Sequence, residues 1–533
     1  MRRVAVIFVG ILATASCFGQ QKVKMKQANT LRGTMVNGVR TDWVIGDVIF
    51  VQSETTIYCD SAIFNRVENS VRAFGNIRIV EGDSVTCTAL GLTYDGNKKI
   101  AYLRKSVVFT KLETATLYTD FLDYDRIKNE ARYFNNGKLV DSTNTLTSRK
   151  GYYNLYNNLA SFKTDVVGYN KDYTLTSDTL QYSSKTKFIF FRALTKLQDK
   201  KGGIGYYENG FYDTKQKKSD LIDGDFETPD YRLKGSRLYL DDIRKLYKAK
   251  GNVVMTSKTE NMTIYGDDGY YDRISGESKV YGHSYVARVT DDSDTLFISA
   301  DTLMSVESID PKKKKLLAWH NVRIFKKDLQ GRADSLVYIA SDSMLYFYRN
   351  PVLWTDENQM TADSIHMLLK NKTINTIYMR SNSFVVSEDT LHNYNQIKGR
   401  TMTAFFEGKN IHHVIVVGNG ESIYYALQDK DEKDKVDEKG KKETYKITSG
   451  MNKIICSNMR INFKEGKVNN ISFYIKPDAS FIPPHELKQE DKLLKGFLWR
   501  GTDRPTRSQV VQNKLVLSNK LPAVVPKVVR NKK

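Results

Sequence analysis

The sequence predicts an all-β protein, an elongated, repetitive antiparallel array of two-stranded units stacked into a two-sheet groove or sandwich. Three observations lead there. A short motif recurs about every 30 residues, apolar residues alternate within each copy, and helical periodicity is nearly absent.

The motif reads roughly Asp/Ser-x-Leu/Gly/Met-x-Tyr/Leu. It begins at Asp60, Leu90, Asp120, Arg149, Asp178, Glu208, Ser236, Asp267, Asp301, Asp334, Asp363, Arg400 and Ser457. The steps are 30, 30, 29, 29, 30, 28, 31, 34, 33, 29, 37 and 57 residues. A period held through so many copies marks a repeat architecture. Each copy has a second half: RAFGNIRI at Arg72, YLRKSVVF at Tyr102, SFKTDVVGY at Ser161, KAKGNVVM at Lys248, KVYGHSYV at Lys279, LAWHNVRIF at Leu317, YFYRNPVLW at Tyr346 and VIVVGNGES at Val414. The basic, glycine-bearing copy at Lys248 is not a phosphate loop. Sister copies replace its glycine with Lys105, Thr164 or His320, and no Gly-Lys-Ser/Thr ending follows.

Strands are read from the alternation of Leu180 with Tyr182, Leu238 with Leu240 and Val253 with Met255, the period of a sheet with one face buried. Turns are read from YDGNKK at Tyr94, YDRIKN at Tyr124, YSSKTK at Tyr182, YDRISG at Tyr271 and FKEGKV at Phe463, whose Asp, Asn, Gly and Ser residues suit tight reversals. One strand pair cannot bury its apolar face alone, so the units must stack. Thirteen units with one strand each per sheet, at ~4.8 Å per strand, give a body ~60 Å long. HELKQEDKLLKGF, from His485 to Phe497, is the one good helix candidate.

The expected organisation is a signal peptide at 1–19, a first β region at 20–290, a second at 291–480, and a C-terminal cap with a basic tail at 481–533. The second region carries the charged insertion 427–446, LQDKDEKDKVDEKGKKETYK, read as an exposed loop because it has too little apolar surface to form a core. PKKKK, from Pro311, is read as a loop between strands. Arg2 and Arg3 precede an apolar stretch and small residues, the layout of an export signal. Cleavage after Gly19 releases a soluble chain. Thr14 to Cys17 offers a lipidated alternative, without the aliphatic residue a lipoprotein box carries three places before its cysteine. No later segment reaches the roughly 18 apolar residues of a membrane helix, and frequent charges on the polar strand faces speak against a transmembrane barrel.

Cys59, Cys87 and Cys456 fit no zinc or Cys-x-x-Cys spacing. They read as small buried hydrophobes with at most one disulfide, for which Cys59 and Cys87, in neighbouring repeats, are the pair. The formal net charge of +21 favours anionic partners, though the stretch from Lys514 onward accounts for part of it as a solvated tail. An exported chain seldom meets nucleic acid. The recurrent Asp60, Asp120, Asp178, Asp301, Asp334 and Asp363 stand where a strand begins and read as turn-bonding residues, not catalytic ones. His412 and His413, adjacent in a strand, should face opposite sides and make poor co-ligands. There is no Gly-x-Ser-x-Gly elbow. The residues therefore point to no catalytic group, no metal and no cofactor. Rows of tyrosine offer glycan stacking as an alternative use, with core packing the plainer one.

The run GDVIFVQSETTIYCDSAIFNRVENSVRAFGNIRIVEGDSVTCTALGLTYD, Gly46 to Asp95, with its successors AKGNVVM and GRADSLVY and the later VVGNGESIYY, resembles the OstA-like, LptA-type family of lipopolysaccharide-transport proteins. The similarity runs through the repeats from about residue 30 to 480 and carries no catalytic signature. It implies an open β-jelly roll whose two sheets form a V-shaped groove. Lipid A acyl chains would lie in its apolar interior and phosphates and sugars at its rim. It also implies a periplasmic location and edge-to-edge β pairing with other lipopolysaccharide-transport proteins. The chain is much longer than the short members of the family, which leaves open one extended jelly roll or two in tandem.

The alternating apolar set expected to line the groove is Ile77, Ile79, Leu92, Tyr94, Val107, Phe109, Leu122, Tyr124, Leu180, Tyr182, Leu238, Leu240, Val253 and Met255. Ordinary core packing is the standing alternative for each. The expected function is a non-enzymatic, periplasmic lipopolysaccharide-binding bridge protein. An extracytoplasmic β-solenoid that binds or cleaves polysaccharide, and a structural scaffold, are the alternatives.

Overall fold

The computed structural model describes residues 22–511, apart from 37, 84, 112–114, 201, 228, 230, 259–260, 291–292, 309, 311, 356, 371–372, 409, 437–441 and 465–466. The export signal, Cys17 and the basic tail lie outside the described residues. Two compact units divide the chain between Gln216 and Lys217. The expected boundary between 290 and 291 falls inside the second unit, after strand Glu277–Val289 and before strand Thr295–Val306.

In the first unit, strands of 10 to 14 residues follow one another as hairpins, from Val39–Gln52 and Thr55–Asn65 to Tyr173–Ser183. Each pairs antiparallel with the strand before and after it, and most ladders slip register near their middle, as between Tyr58 and Ser61 and between Phe74 and Ile77. The slips have a backbone cause. Two consecutive residues of every second strand take left-handed φ: Gly75 (70°) and Asn76 (38°), Lys105 (62°) and Ser106 (52°), Asn135 (85°) and Asn136 (71°), Thr164 (66°) and Asp165 (53°). Such a double kink is a bulge that bends the strand, so its two halves belong to two facing sheets.

We call these sheets A and B. Through the first unit, sheet A carries the inward row Phe50, Ile57, Ile79, Cys87, Phe109, Leu117, Leu139 and Leu146, each opposite the next. Sheet B carries Phe64, Val71, Tyr94, Ala101, Tyr124, Ala131, Tyr153, Ala160 and Tyr182. The alternation of ring and alanine in sheet B leaves each ring room to reach across. Phe50 meets Phe64 at 5.2 Å, and Phe109 meets Tyr124 at 5.4 Å, edge to face between the sheets.

The second unit repeats the device. Gly251–Asn252, Gly282–His283, His320–Asn321, Arg349–Asn350, Ser381–Asn382, Gly418–Asn419 and Ile475–Lys476 are left-handed pairs among its described residues. Residues from both halves of its strands share one core, which includes Leu303, Val322, Ile324, Leu336, Ile365, Met402, Val416 and Ile461.

Across each kink sits the first motif of the repeat. Asn76 donates to Asp60 at 2.9 Å, the Ser106 N–H to Asp120 at 3.0 Å, Asn321 to Asp301 at 2.9 Å, and Asn382 to Asp363 at 3.0 Å. The two sequence motifs are thus the two sides of one contact. Glycine is dispensable at the kink because asparagine and other polar residues tolerate the left-handed region when a neighbour bonds them.

Four expectations change. The segment 485–497 is not a helix. It holds a single 3-10 turn, Gln489–Lys492, with no side-chain cap at Lys488, because Gln396 takes up the Lys492 carbonyl and the Leu494 N–H. Over its described residues, 427–436 and 442–446, the charged insertion is not a loop. Strands Asn410–Val436 and Lys442–Lys464 stay paired through it, Asp429 opposite Lys446 and Val436 opposite Lys442, since a ladder satisfies backbone groups without needing a core.

Among the described residues the cysteines, Cys59, Cys87 and Cys456, are free and buried, and no disulfide joins Cys59 to Cys87. Their strands flank Ser70–Glu81 on either side, two strand spacings or ~9.6 Å apart, beyond a disulfide's reach. Lastly, His412 and His413 are not on opposite faces. A register shift opposite Phe406 turns their Nδ1 atoms to within 2.8 Å, where they share a hydrogen bond.

Candidate functional site

The candidate site is the apolar space between sheets A and B, with the rim where the two sheets' end turns approach each other. In the first unit, Ile77, Ile79, Val107 and Phe109 project into it from sheet A, and Leu92, Tyr94, Leu122, Tyr124, Leu180 and Tyr182 from sheet B. All are at most 4% exposed. In the second unit, Leu238, Leu240 and Val253 are buried, and Met255 packs against the core cluster half-buried. Strand alternation explains the placement, since every second residue of a half-strand faces inward. The fourteen residues therefore divide between the units, ten in the first and four in the second.

The rim of the first unit shows what alternation could not. One step outward from the inward apolar rows, each sheet ends in polar side chains that cross to the other sheet. Gln52 of sheet A donates to the Gly96 carbonyl at 2.7 Å and accepts from the Tyr94 hydroxyl. Glu81 accepts from the Tyr124 hydroxyl and from Arg126 Nε at 3.0 Å, and Arg126 also donates to the Tyr94 oxygen at 2.8 Å. Lys111 donates to the Leu155 carbonyl and to Asn158 Oδ1 at 2.7 Å. Asp141 accepts from the Tyr182 hydroxyl and from Lys187 Nζ at 2.8 Å.

Gln52, Glu81, Lys111 and Asp141 stand 29, 30 and 30 residues apart, so they are one position of the repeat. Three tyrosines of the apolar set, Tyr94, Tyr124 and Tyr182, thus do two things. Their rings fill the interior, and their hydroxyls tie the rims. Sequence reading missed the polar partners because residues at strand ends look like turn residues. The 30-residue register of Gln52, Glu81, Lys111 and Asp141 was the available signal.

The electrostatics follow from burial. Burial pushes the Tyr94 and Tyr124 hydroxyls up, Tyr124 further through its bond to Glu81. Burial would raise the Asp141 carboxyl, but Lys187, Tyr182 and the N–H groups of Thr143 and Asn144 hold it below the usual carboxylate range. Burial lowers the Lys111 ammonium, with Lys185 adding repulsion. Burial alone would likewise lower the Arg126 guanidinium, yet Tyr94 and Glu81 more than offset it and hold it up.

The second unit has its own sheet A, the one in which Gln330, Trp354, Gln359, Val386 and Gln396 stand each opposite the next, and the outer face of that sheet is covered. The segment from Glu490 to Val511 crosses it, pinned by three buried glutamines. Gln330 accepts from Arg504 Nε at 2.7 Å. Gln359 accepts from the Arg500 N–H at 2.6 Å and donates to the Leu498 carbonyl at 2.8 Å. Gln396 accepts from the Leu494 N–H at 2.9 Å and donates to the Lys492 carbonyl at 2.8 Å. Leu494, Phe497 and Trp499 pack there on Phe384, Val386, Ile423, Tyr425 and Met451. Nearby, a pocket of about 440 Å³ lies among the kinks, lined by His283, Asp301, Asn321 and Arg323. Its charges are of both signs. Among the described residues no group of three or more His, Cys, Asp or Glu is placed to hold a metal ion, and no helix is long and apolar enough to cross a membrane.

Residues 20–178, 159 of the 533, match the family model described as OstA-like protein. That segment is therefore OstA-like, in line with the resemblance read at Gly46–Asp95. No curated protein matches the chain. Among solved structures, LptH from Pseudomonas aeruginosa, described as the LptA-homologous periplasmic component of a lipopolysaccharide transport device, is similar at 15% identity. The match covers 22% of this chain and 82% of LptH, with a TM-score of 0.20.

Proposed function

We propose that the chain is a non-enzymatic, periplasmic lipopolysaccharide-binding bridge protein that carries lipid A acyl chains between sheets A and B toward the outer membrane. The observation that carries this reading is the apolar interior of the first unit, lying in the segment that matches the OstA-like family model. Acyl chains entering it gain roughly 0.8 kcal/mol per methylene removed from water. The net charge of +21 suits phosphorylated headgroups. Terminal strands support edge pairing with transport partners. Among the described residues, Lys24–Gln27 and Thr30–Val36 pair only with Val39–Gln52, and Lys467–Tyr474 and Asp478–Ile482 only with Lys442–Lys464.

The dense filling of the interior, with Tyr94, Leu122 and Leu180 all at 0% exposure, favours a second reading as a structural spacer. Photo-leucine, nearly isosteric with leucine, separates the two readings. Placed singly at Leu122, inside, or at Leu90, which is 50% exposed, it is irradiated in the full chain mixed with lipopolysaccharide. Crosslinks to lipid A from Leu122 and not from Leu90 are the result of the transport reading. No crosslink from Leu122 leaves the spacer.

A further inference from the structure

We propose that the polar rungs at the rim of the first unit are a latch, and that an anionic amphiphile opens it by replacing Glu81 and Asp141 as the partners of Arg126 and Lys187. This rests on the lipid-binding reading of the same interior and adds to it how the interior is reached and which headgroup chemistry gains entry.

The argument begins with burial. The side chains of the two ion pairs are little exposed, Arg126 at 7% with Glu81 at 21%, and Lys187 at 18% with Asp141 at 0%. Parting such a pair leaves a cation short of both charge and hydrogen bonds, which is costly unless another anion takes the vacated place. A phosphate or sulfate headgroup supplies that anion and several acceptor oxygens. A neutral headgroup supplies neither, so it must part the pair with nothing in return.

Geometry gives the latch its consequence. Each rung joins residues 41 to 47 positions apart, one at the end of sheet A and one at the end of sheet B. Directly beneath the rungs lie the rings of Tyr94, Tyr124 and Tyr182 and, against Tyr124, that of Phe109. Releasing a rung frees the tyrosine hydroxyl that held the ring at the rim, which opens the apolar space below to the tail of the amphiphile that displaced it. The two ion-pair rungs, at Glu81 and at Asp141, are four strands apart, ~19 Å along the rim, so each exchanges with one headgroup at a time.

The test uses the full chain and two probes with one tail, myristoyl lysophosphatidate and monomyristoylglycerol, both below their micellar concentrations. Wild type should bind the lysophosphatidate at least tenfold more tightly. In Arg126→Gln/Lys187→Gln that preference should fall to within about twofold. In Glu81→Gln/Asp141→Asn, and in the gentler Tyr124→Phe/Tyr182→Phe that keeps the rings, the neutral probe should bind at least fivefold faster than to wild type. A preference unchanged by loss of the two cations, or neutral-probe rates unchanged in both latch-weakened variants, overturns the latch while leaving lipid binding in place. Failure of every variant to bind either probe, together with failure to bind lipopolysaccharide, overturns both.

Discussion

Asn382 donates to both carboxylate oxygens of Asp363, at 3.1 and 3.0 Å, while the Asp363 N–H donates to the Ser381 carbonyl at 3.0 Å. One residue of each repeat motif thus clamps the left-handed kink of its neighbour. A single side-chain bond to one carboxylate oxygen joins Asn76 to Asp60 and Asn321 to Asp301 in the same way.

The kink is therefore expected to rank substitutions by backbone and not by polarity. Asn382 sits at φ 51°. Asn382→Gly loses the bond to Asp363 but relieves the left-handed conformation, whereas Asn382→Val loses the bond and adds ~1–2 kcal/mol of backbone strain. Urea unfolding should show Val well below Gly in stability. Equal midpoints would mean that the kink relaxes.

The glutamine clamps predict a cooperative C-terminal cover. Gln359→Ala leaves a buried N–H and carbonyl without partners and should destabilise the second unit by ~2–4 kcal/mol. Protease should then cut between Glu490 and Val511 at concentrations that spare wild type. A chain ending at Ile482 exposes Phe384, Val386, Ile423 and Tyr425, and should bind the dye ANS where the full chain does not.

The thiols should be silent. Burial pushes Cys59 up to about 12 and raises Cys87 and Cys456 too. A chain beginning at Gln20 should release no thionitrobenzoate from Ellman's reagent at pH 8 until unfolded, then three equivalents. Its melting temperature should not move with reductant. A drop on reduction would reveal a disulfide.

Acid should weaken the Asp141 rung. Because folding holds its carboxyl below the ordinary value, the stabilisation is complete above pH ~4, where the unfolded carboxyl is ionised, and is lost as pH falls through the folded value. The stability gap between wild type and Asp141→Asn, measured in urea, should be open at pH 7 and narrow at pH 3. A gap independent of pH would remove the ion pair from the account.

Base should act through the tyrosines in the opposite sense. Tyr94, Tyr124 and Tyr182 are raised in the folded chain, so their contribution holds below pH ~10 and is lost as pH climbs toward their folded values. Absorbance at 295 nm should show these three ionising only together with unfolding. Phenylalanine in place of all three should leave the early part of that titration unchanged.

Much of this molecule is legible in its sequence. The 30-residue step, the inward rows and the turns at Tyr94 and Tyr124 all follow from short-range pattern. The helix read at 485–497 failed because Gln396, almost 100 residues earlier, claims the backbone groups a helix would use. The loop read at 427–446 failed because high charge excludes a core, yet a paired ladder needs none.

The all-β class, the two-strand repeat, and which side of each strand is apolar follow from local pattern, since alternation is a property of two adjacent residues. Long-range packing sets the rest: the interior tyrosines reach Gln52, Glu81 and Asp141, Asp363 clamps Asn382, and the C-terminal segment lies on sheet A of the second unit. The rim contacts join residues more than 40 positions apart. Which of them meet depends on where the kinks fold one half-strand over another, and left-handed φ is tolerated by too many polar residues for the kink to be read from any single one.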